Sequence, residues 1–354
     1  MRPLFATIDS GALRHNLGVV RRHAPRSKVF AVVKSDAYGH GLLRAAAALS
    51  DADGFGLLEI EGAVRLREAG YRQPIVLLEG FFEPGELPVL ARHGLSTVVH
   101  SMEQVAALDG FPPEGKLDVL LKVNTGMNRL GFSPGEFPRA LDRLRRNPRI
   151  GAMTLMTHFA AADEARGVGW QMQALDCLAG GADLPKSLAN SAAILRHPGT
   201  HADWVRPGIM LYGCSPFSGR IGAEEGLRSA MTLESRIIAV QALKPGDTVG
   251  YGGTFQATRA MRIGVVACGY ADGYPRHAPN GTPVEVEGKM TGTIGRVSMD
   301  MLCVDLSEVP PARVGSRVVL WGEDVPVERV AEAAGTVSYQ LLCALTPRVR
   351  VVER

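Results

Sequence analysis

Lys34 closes the apolar run VFAVV at residues 29–33 and is followed by SDAYGHG. A lysine at the end of an apolar strand has two ordinary fates. Its stem can lie along apolar surface while the ammonium reaches water. Alternatively, a low-dielectric pocket removes its proton, and the free amine can then form a Schiff base with a carbonyl compound. Tyr38 lies one turn beyond, and Gly39 and Gly41 allow backbone to approach a bound group closely. Downstream, Asn190 and Ser191 follow the run KSLA at 186–189, while Arg206, Gly208 and Ile209 follow or close ADWVR at 202–206. Small polar groups and backbone amides so placed can hold a phosphate, although Ser191 alone reads equally well as a helix cap. For Arg206 the plain alternative is half of a buried ion pair, which the surrounding motif makes the poorer choice. His158 ends another apolar run, where an isolated histidine is more often structural. His197, His201 and Asp203 have metal-like spacing, but Pro198 and Gly199 prevent one helix face from presenting both histidines, so no metal is expected. No G-x-G-x-x-G follows a strand, and a nicotinamide fingerprint is absent.

Positioning these residues requires a scaffold that gathers strand ends. Short apolar runs occur at 29–33, 54–59, 75–79, 96–100, 117–123, 150–157, 186–189 and 202–206, with helix chemistry between them. Residues 59–69 read as a helix, and Ser101 reads as the cap of another. Eight runs, continuous rather than alternating, suit parallel strands buried on both faces, and predict a (β/α)8 TIM-type barrel with its site at the C-terminal strand ends. From about residue 230 the pattern becomes strand and turn, with helix confined to 327–334 and 339–345. The expected class is therefore α/β plus β, with a barrel over 10–228 and a mainly β domain over 229–354. Residues 2–9 are strand-like and able to join the second domain.

Composition narrows the partners. At 354 residues with 46% hydrophobic and 21% charged residues, the chain reads as a soluble two-domain protein. A net charge of +3 is too slight for a nucleic-acid or anionic-membrane surface. The basic stretch at 139–149 carries leucines at helical spacing and reads as the solvated face of an amphipathic helix. Neither a signal peptide nor a membrane span is evident. Cys177, Cys214, Cys268, Cys303 and Cys343 are scattered, which predicts reduced thiols in a cytoplasmic protein, most of them buried.

The segment AVVKSDAYGHG at 31–41 resembles the cofactor-lysine motif of bacterial alanine racemases, which are two-domain pyridoxal 5'-phosphate enzymes. The family's common Ala-Asn is replaced here by Ser35-Asp36, at positions that carry no chemistry. LKVNTGMNRLGF, THFA, LANSAA, RPGIMLYG, VGYGGTF, GYADGYPR, GRVSMD and SYQLLCAL follow in the family's order across nearly the whole chain. The resemblance implies Lys34 as cofactor anchor and base, and Tyr251 as the base on the opposite face. It assigns Tyr38, Ser191, Gly208, Ile209 and Tyr339 to the cofactor phosphate, with Asn190 beside it, and Arg206 to the pyridine nitrogen. His158 and Arg206 would lower the pKa of Tyr251. Arg129 would meet the cofactor's phenolic oxygen and, with the backbone of Met299, the substrate carboxylate. Lys122 matches a position carbamylated in some members, while Tyr270 and Tyr274 match residues lining the entrance, although as isolated tyrosines they read as ordinary interface or core residues. Tyr251 and Met299 would come from the partner subunit, implying a homodimer with composite sites.

Other pyridoxal proteins fit less well. Barrel-type decarboxylases share the layout but generally put an acid at the pyridine nitrogen and a cysteine near the substrate; Arg206 and Tyr251 count against that chemistry. A non-catalytic carrier built from the barrel alone has no use for the β domain. A racemase of broader range would differ in pocket volume.

Overall fold

The computed structural model describes residues 2–110 and 115–354. Leu17–Ala37 and Gly41–Leu211 form one unit, and the rest of the described chain forms the other.

The first strand, β1 (Phe5–Ile8), belongs to the second unit, so the barrel opens with β2 (Lys28–Val32). It continues through β3 (Gly54–Leu57), β4 (Ile75–Leu77), β5 (Ser96–Val99), β6 (Leu117–Lys122), β7 (Ile150–Met156), β8 (Lys186–Ser187) and β9 (Trp204–Val205). All eight are parallel, and β9 closes the ring by pairing Trp204 with Lys28 and Val205 with Val29. Every residue of β3, β4 and β5 is buried, which explains why their residues do not alternate between apolar and polar. Phe30, Val76, Val98, Leu120 and Met156 pack the interior, with Trp204 stacked on Phe30 at 3.9 Å between ring centroids. The interior is thus solid, and chemistry is left to the strand ends.

The helices follow the sequence pattern closely. Ile60–Glu68 is helical, and Met102–Gly110 is capped by Ser101, whose Oγ accepts from the Gln104 N–H at 3.3 Å. The basic stretch lies in the helix Phe137–Arg146, which buries Phe137, Ala140, Leu141 and Leu144.

In the second unit the long strand β10 (Met231–Leu243) is the spine. A two-stranded flap, β11 (Thr248–Val249) and β12 (Phe255–Gln256), precedes β13 (Met261–Val266), β14 (Pro283–Val286), β15 (Lys289–Ile294), β16 (Leu302–Asp305), β17 (Arg317–Trp321) and β18 (Arg350–Glu353). The sheet order is β13-β16-β15-β14-β17-β10-β1-β18, and β13 also pairs with β10, so six strands close on themselves. β1 lies antiparallel to β10 and parallel to β18. Between β14 and β15, Glu287 and Gly288 both have positive φ, the backbone of a tight two-residue hairpin turn. Among the described residues no helix is long and apolar enough to cross a membrane.

One backbone feature follows directly from Lys34. Ser35, Asp36, Ala37 and Tyr38 have φ of 54°, 50°, 54° and 52°, a left-handed turn built without glycine. Each such residue costs about 1–2 kcal/mol. Ala37 N–H donates to Val33 O (3.0 Å), Gly41 N–H to Asp36 O (2.9 Å) and Leu42 N–H to Asp36 Oδ1 (2.8 Å), which hold the turn. Gly39 (φ 77°) follows, and a Cβ there would overlap the carbonyl oxygen of Leu342. Gly39→Ala should therefore lower the urea midpoint, equivalent to about 1–3 kcal/mol of stability. An unchanged midpoint would show that the backbone yields at no cost.

Candidate active site

The barrel gathers cations at the C-terminal ends of its strands. Lys34 follows β2 and is half-buried; Lys122 ends β6 and is only 5% exposed; Arg206 follows β9 and is 4% exposed. His158 lies just past β7, and Arg129 is exposed on the loop after β6. Lys122, Arg129, Thr157 and His158 line one small cleft. Burial pulls the His158 imidazole well below its ordinary pKa, and Arg206, Lys122, Arg129 and Lys34 push it the same way. His158 is accordingly neutral at physiological pH. Burial, then Arg206 and Arg129, lower Lys122 to about 8, against a weaker opposing pull from Glu79. Burial alone brings Arg206 to about 10, so it stays charged at neutral pH.

Arg206 finds no carboxylate among the described residues. One terminal nitrogen donates to Ser187 O (2.5 Å) and Ser187 Oγ (2.7 Å), the other to Thr157 O (2.6 Å) and Leu188 O (3.2 Å). A guanidinium has five N–H groups, and these four bonds leave the Nε–H over. The ion-pair alternative for Arg206 is therefore excluded.

Its acceptors are themselves braced. Thr157 Oγ1 and Thr125 Oγ1 lie 2.8 Å apart, and Gln171 Nε2 donates to Thr125 Oγ1 (2.8 Å) and to His158 O (3.1 Å). Ala160 N–H donates to Gln171 Oε1 at 2.7 Å. Sequence reasoning missed Gln171, Thr125, Thr157 and Ser187. The available signal was a fully buried glutamine in an otherwise amphipathic helix, visible only once burial is known.

Ser191 Oγ accepts from Gly208 N–H at 2.9 Å, drawing the segments after β8 and β9 together. The cap of the helix Ser191–Arg196 is Asn190, whose Oδ1 accepts from Ala193 N–H at 3.1 Å, so the cap reading for Ser191 does not hold. Asn190 Nδ2 also donates to Phe159 O (3.4 Å). Ile209 begins a short 3-10 turn directly after Gly208.

In the second unit Tyr38 is buried, with Tyr212 stacked on it at 4.6 Å and Tyr339 tilted towards it at 6.1 Å. Burial first, then Cys343, raises its phenol pKa, so it remains protonated and able to donate. Tyr251 is 69% exposed in the turn Tyr251–Gly253, and Met299 is 52% exposed. Tyr270 is also exposed, with Arg276 over its ring. Tyr274 is different: it is 1% exposed and stacked on Trp321, a core residue that cannot line an entrance. The ring's apolar area won it a place inside that the motif position did not disclose.

Two further expectations need adjusting. Only Cys214 and Cys268 are buried; Cys303 is half-buried, and Cys177 and Cys343 are exposed, though all five are free thiols. His197 and His201 each turn Nε2 to a backbone carbonyl, of Ala162 and Ile194 respectively, at 3.0 Å. Both histidines are thus accounted for structurally.

Residues 8–216 match the family model for the alanine racemase N-terminal domain, and residues 230–353 match that for the alanine racemase C-terminal domain. The chain belongs to the alanine racemase family. The alanine racemase of Nitrosospira multiformis is 60% identical over 354 residues, covering 99% of each chain. That of Paraburkholderia phytofirmans is 57% identical over 352 residues, again covering 99% of each. Among solved structures, the biosynthetic alanine racemase of Pseudomonas aeruginosa superposes with a TM-score of 0.96 at 46% identity, covering both chains completely. The Streptomyces lavendulae alanine racemase gives 0.91 at 33% identity, covering 100% of this chain and 97% of its own. Alanine racemases depend on pyridoxal phosphate.

Lys122 makes a pH prediction for the cofactor-free chain. Its folded pKa is about 8, against about 10.4 when unfolded. Between those values the unfolded chain holds more protons, so stability rises with pH from about 8 to 10.4, and the penalty is fully present below 8. Lys122→Met should remove that rise in urea denaturation measured at pH 7.5 and 9.5. Equal slopes in both proteins would assign Lys122 an ordinary pKa.

Proposed function

We propose that the protein interconverts L-alanine and D-alanine by a two-base mechanism, with Lys34 and Tyr251 serving opposite faces of Cα. The observation that carries this reading is Arg206, a buried guanidinium satisfied by carbonyls and a hydroxyl, with one N–H unspent. A donor that keeps its own proton suits an unprotonated pyridine nitrogen. The surplus of cations around it suits an anionic cofactor.

Pyridoxal 5'-phosphate, when bound, supplies the electron sink that makes the Cα–H of an amino acid acidic enough to remove. Lys34 Nζ is the attachment point and, once released, the base on one face. Tyr251 Oη holds or delivers a proton on the other. A tyrosine that serves as a base needs donors or positive charge beside it, and His158 and Arg206 take that part in this reading. Arg206 also limits the strength of the sink, which favours prompt return of the proton to carbon over transamination.

Tyr38, Ser191, Gly208, Ile209 and Tyr339 hold the phosphate in this reading, with Asn190 fixing Ser191 from the adjacent cap position. Arg129 orients the cofactor's phenolic oxygen and the substrate carboxylate, and the Met299 backbone meets that carboxylate. Lys122 stands beside Arg129, where its lowered pKa supplies the neutral amine that carbamylation requires. Tyr270 lines the entrance. The exposure of Tyr251 and Met299 supports a homodimer in which each subunit completes its partner's site. The protein would act in the cytoplasm, supplying D-alanine for peptidoglycan or serving alanine catabolism.

A chiral assay over a panel of L-amino acids in deuterated water tests the activity. Alanine should racemise with deuterium incorporated at Cα, and carbon dioxide release without racemisation would replace this reading with decarboxylation. Lys34→Ala should lose the cofactor's bound absorbance and on the order of 10³-fold or more of the rate. Tyr251→Phe should slow exchange of the L-isomer's α-proton more than that of the D-isomer. Equal slowing of both would refute the division of faces.

A further inference from the structure

Met299 sits in a loop whose position is enforced from below. Tyr270 N–H donates to Ser298 O and Ala271 N–H to Met299 O, each at 3.0 Å, while Ser298 N–H donates to Met301 O at 2.9 Å. A Cβ on Gly269 would overlap the Ser298 and Met299 carbonyl oxygens, so the turn at 269–272 lies directly against the loop. The Met299 carbonyl is thereby fixed, while its N–H has no partner among the described residues.

Asp272 anchors this turn. Its side chain is fully buried, and Oδ2 accepts from Gly269 N–H at 2.9 Å. Oδ1 pairs with Arg2 and, at 3.4 Å, with Arg348 Nε. Both arginines then reach forward to the residue after Met299. Arg2 donates to Asp300 O at 2.5 Å, and Arg348 pairs with Asp300 Oδ1 at 2.6 Å. One buried carboxylate therefore holds two guanidiniums, and those hold Asp300 by its backbone and its side chain. Truncating a buried charge of this kind releases its partners as well.

We propose that Asp272, through Arg2 and Arg348, is a positioning residue that presents the Met299 N–H to the substrate carboxylate in the partner subunit's site. The proposal rests on the composite-site reading above. Asp272 touches neither substrate nor cofactor in it; the residue acts by fixing where a free N–H points. Asp272→Asn keeps an acceptor for Gly269 N–H but loses the charge that gathers both arginines, so the turn should fold while the loop loosens. Arg348→Met, at a partly exposed position, removes one arm and keeps the buried core intact.

The probe is propionate, which carries the carboxylate and methyl of alanine but no amino group. In the holoenzyme, Asp272→Asn should raise the propionate dissociation constant and the alanine KM about tenfold, with kcat much less affected and cofactor absorbance unchanged. Arg348→Met should move both in the same direction. The decisive measurement uses dimers purified by two different tags, one subunit carrying Lys34→Ala and the other Asp272→Asn. The single intact Lys34 then meets an unaltered Met299 loop, so KM should return to the wild-type value with about half the wild-type kcat. A KM that stays raised in the mixed dimer, or an unaltered propionate affinity in both single variants, would overturn the proposal. A mixed dimer of Lys34→Ala with Tyr251→Phe is the control for the reading beneath it. If that control is active while the Asp272→Asn mixture keeps its raised KM, only the Asp272 assignment fails. If the control is inactive, composite sites are wrong and the proposal falls with them.

Discussion

A positive charge buried without a counter-charge is the constraint on which the barrel's chemistry depends. Placing a guanidinium in an interior costs several kcal/mol unless its donors are satisfied. Here Ser187, Leu188 and Thr157 supply three carbonyls and a hydroxyl from the ends of two neighbouring strands. Dipoles solvate the charge without neutralising it, so its field persists across the strand ends. His158 is kept neutral and Lys122 is pulled to about 8 by burial together with that field. A carboxylate on Arg206 would relax both groups at once. The site's basic character is therefore a collective property of the strand ends, and it follows from what Arg206 is denied.

Much of the scaffold was legible because buried parallel strands leave a strong trace. VFAVV and IVLL are apolar throughout since both faces are covered, and all eight runs form barrel strands. β8 and β9 were the faintest, and each is only two residues long. They are defined by closure, with β9 paired to β2, a constraint that no local pattern can express. In the second unit the strand-and-turn pattern announced a β domain without giving its strand order, which rests on pairings such as that of β17 with β10 and β14. β18 is mostly exposed and is defined by its pairing with β1.

The candidate site was legible in its residue types and much less so in its supports. Lys34, Arg206 and Tyr251 stand out by motif, whereas the polar groups that hold them look like any threonine or glutamine in the sequence. Gln171 reaches Thr125 and the His158 carbonyl across separate loops, and its role exists only after folding. Tyr274 shows the converse error. The motif match put it at the entrance beside Tyr270, but its ring is buried on Trp321, as the plainer reading of an isolated tyrosine as a core residue has it. Motif resemblance transfers identity reliably; it transfers exposure only where the intervening backbone is known.

The left-handed turn after Lys34 shows how strain and site are coupled. Four consecutive L-residues at positive φ are unfavourable as a local choice. They persist because Asp36 ties the turn to the segment after it, accepting from Gly41 through its backbone and from Leu42 through its side chain, while Ala37 N–H ties it back to Val33 O. Tyr38, the last of the four, stacks on Tyr212. Gly39 then allows the backbone to meet Leu342 without a side chain in the way. The departure from the family's usual residues falls on Ser35 and Asp36, within this turn. Asp36 is thus more than a neutral replacement: its carboxylate supplies one of the bonds that offset the turn's strain. Sequence alone assigned it no chemistry, and in the folded chain its part is to hold the turn that follows Lys34.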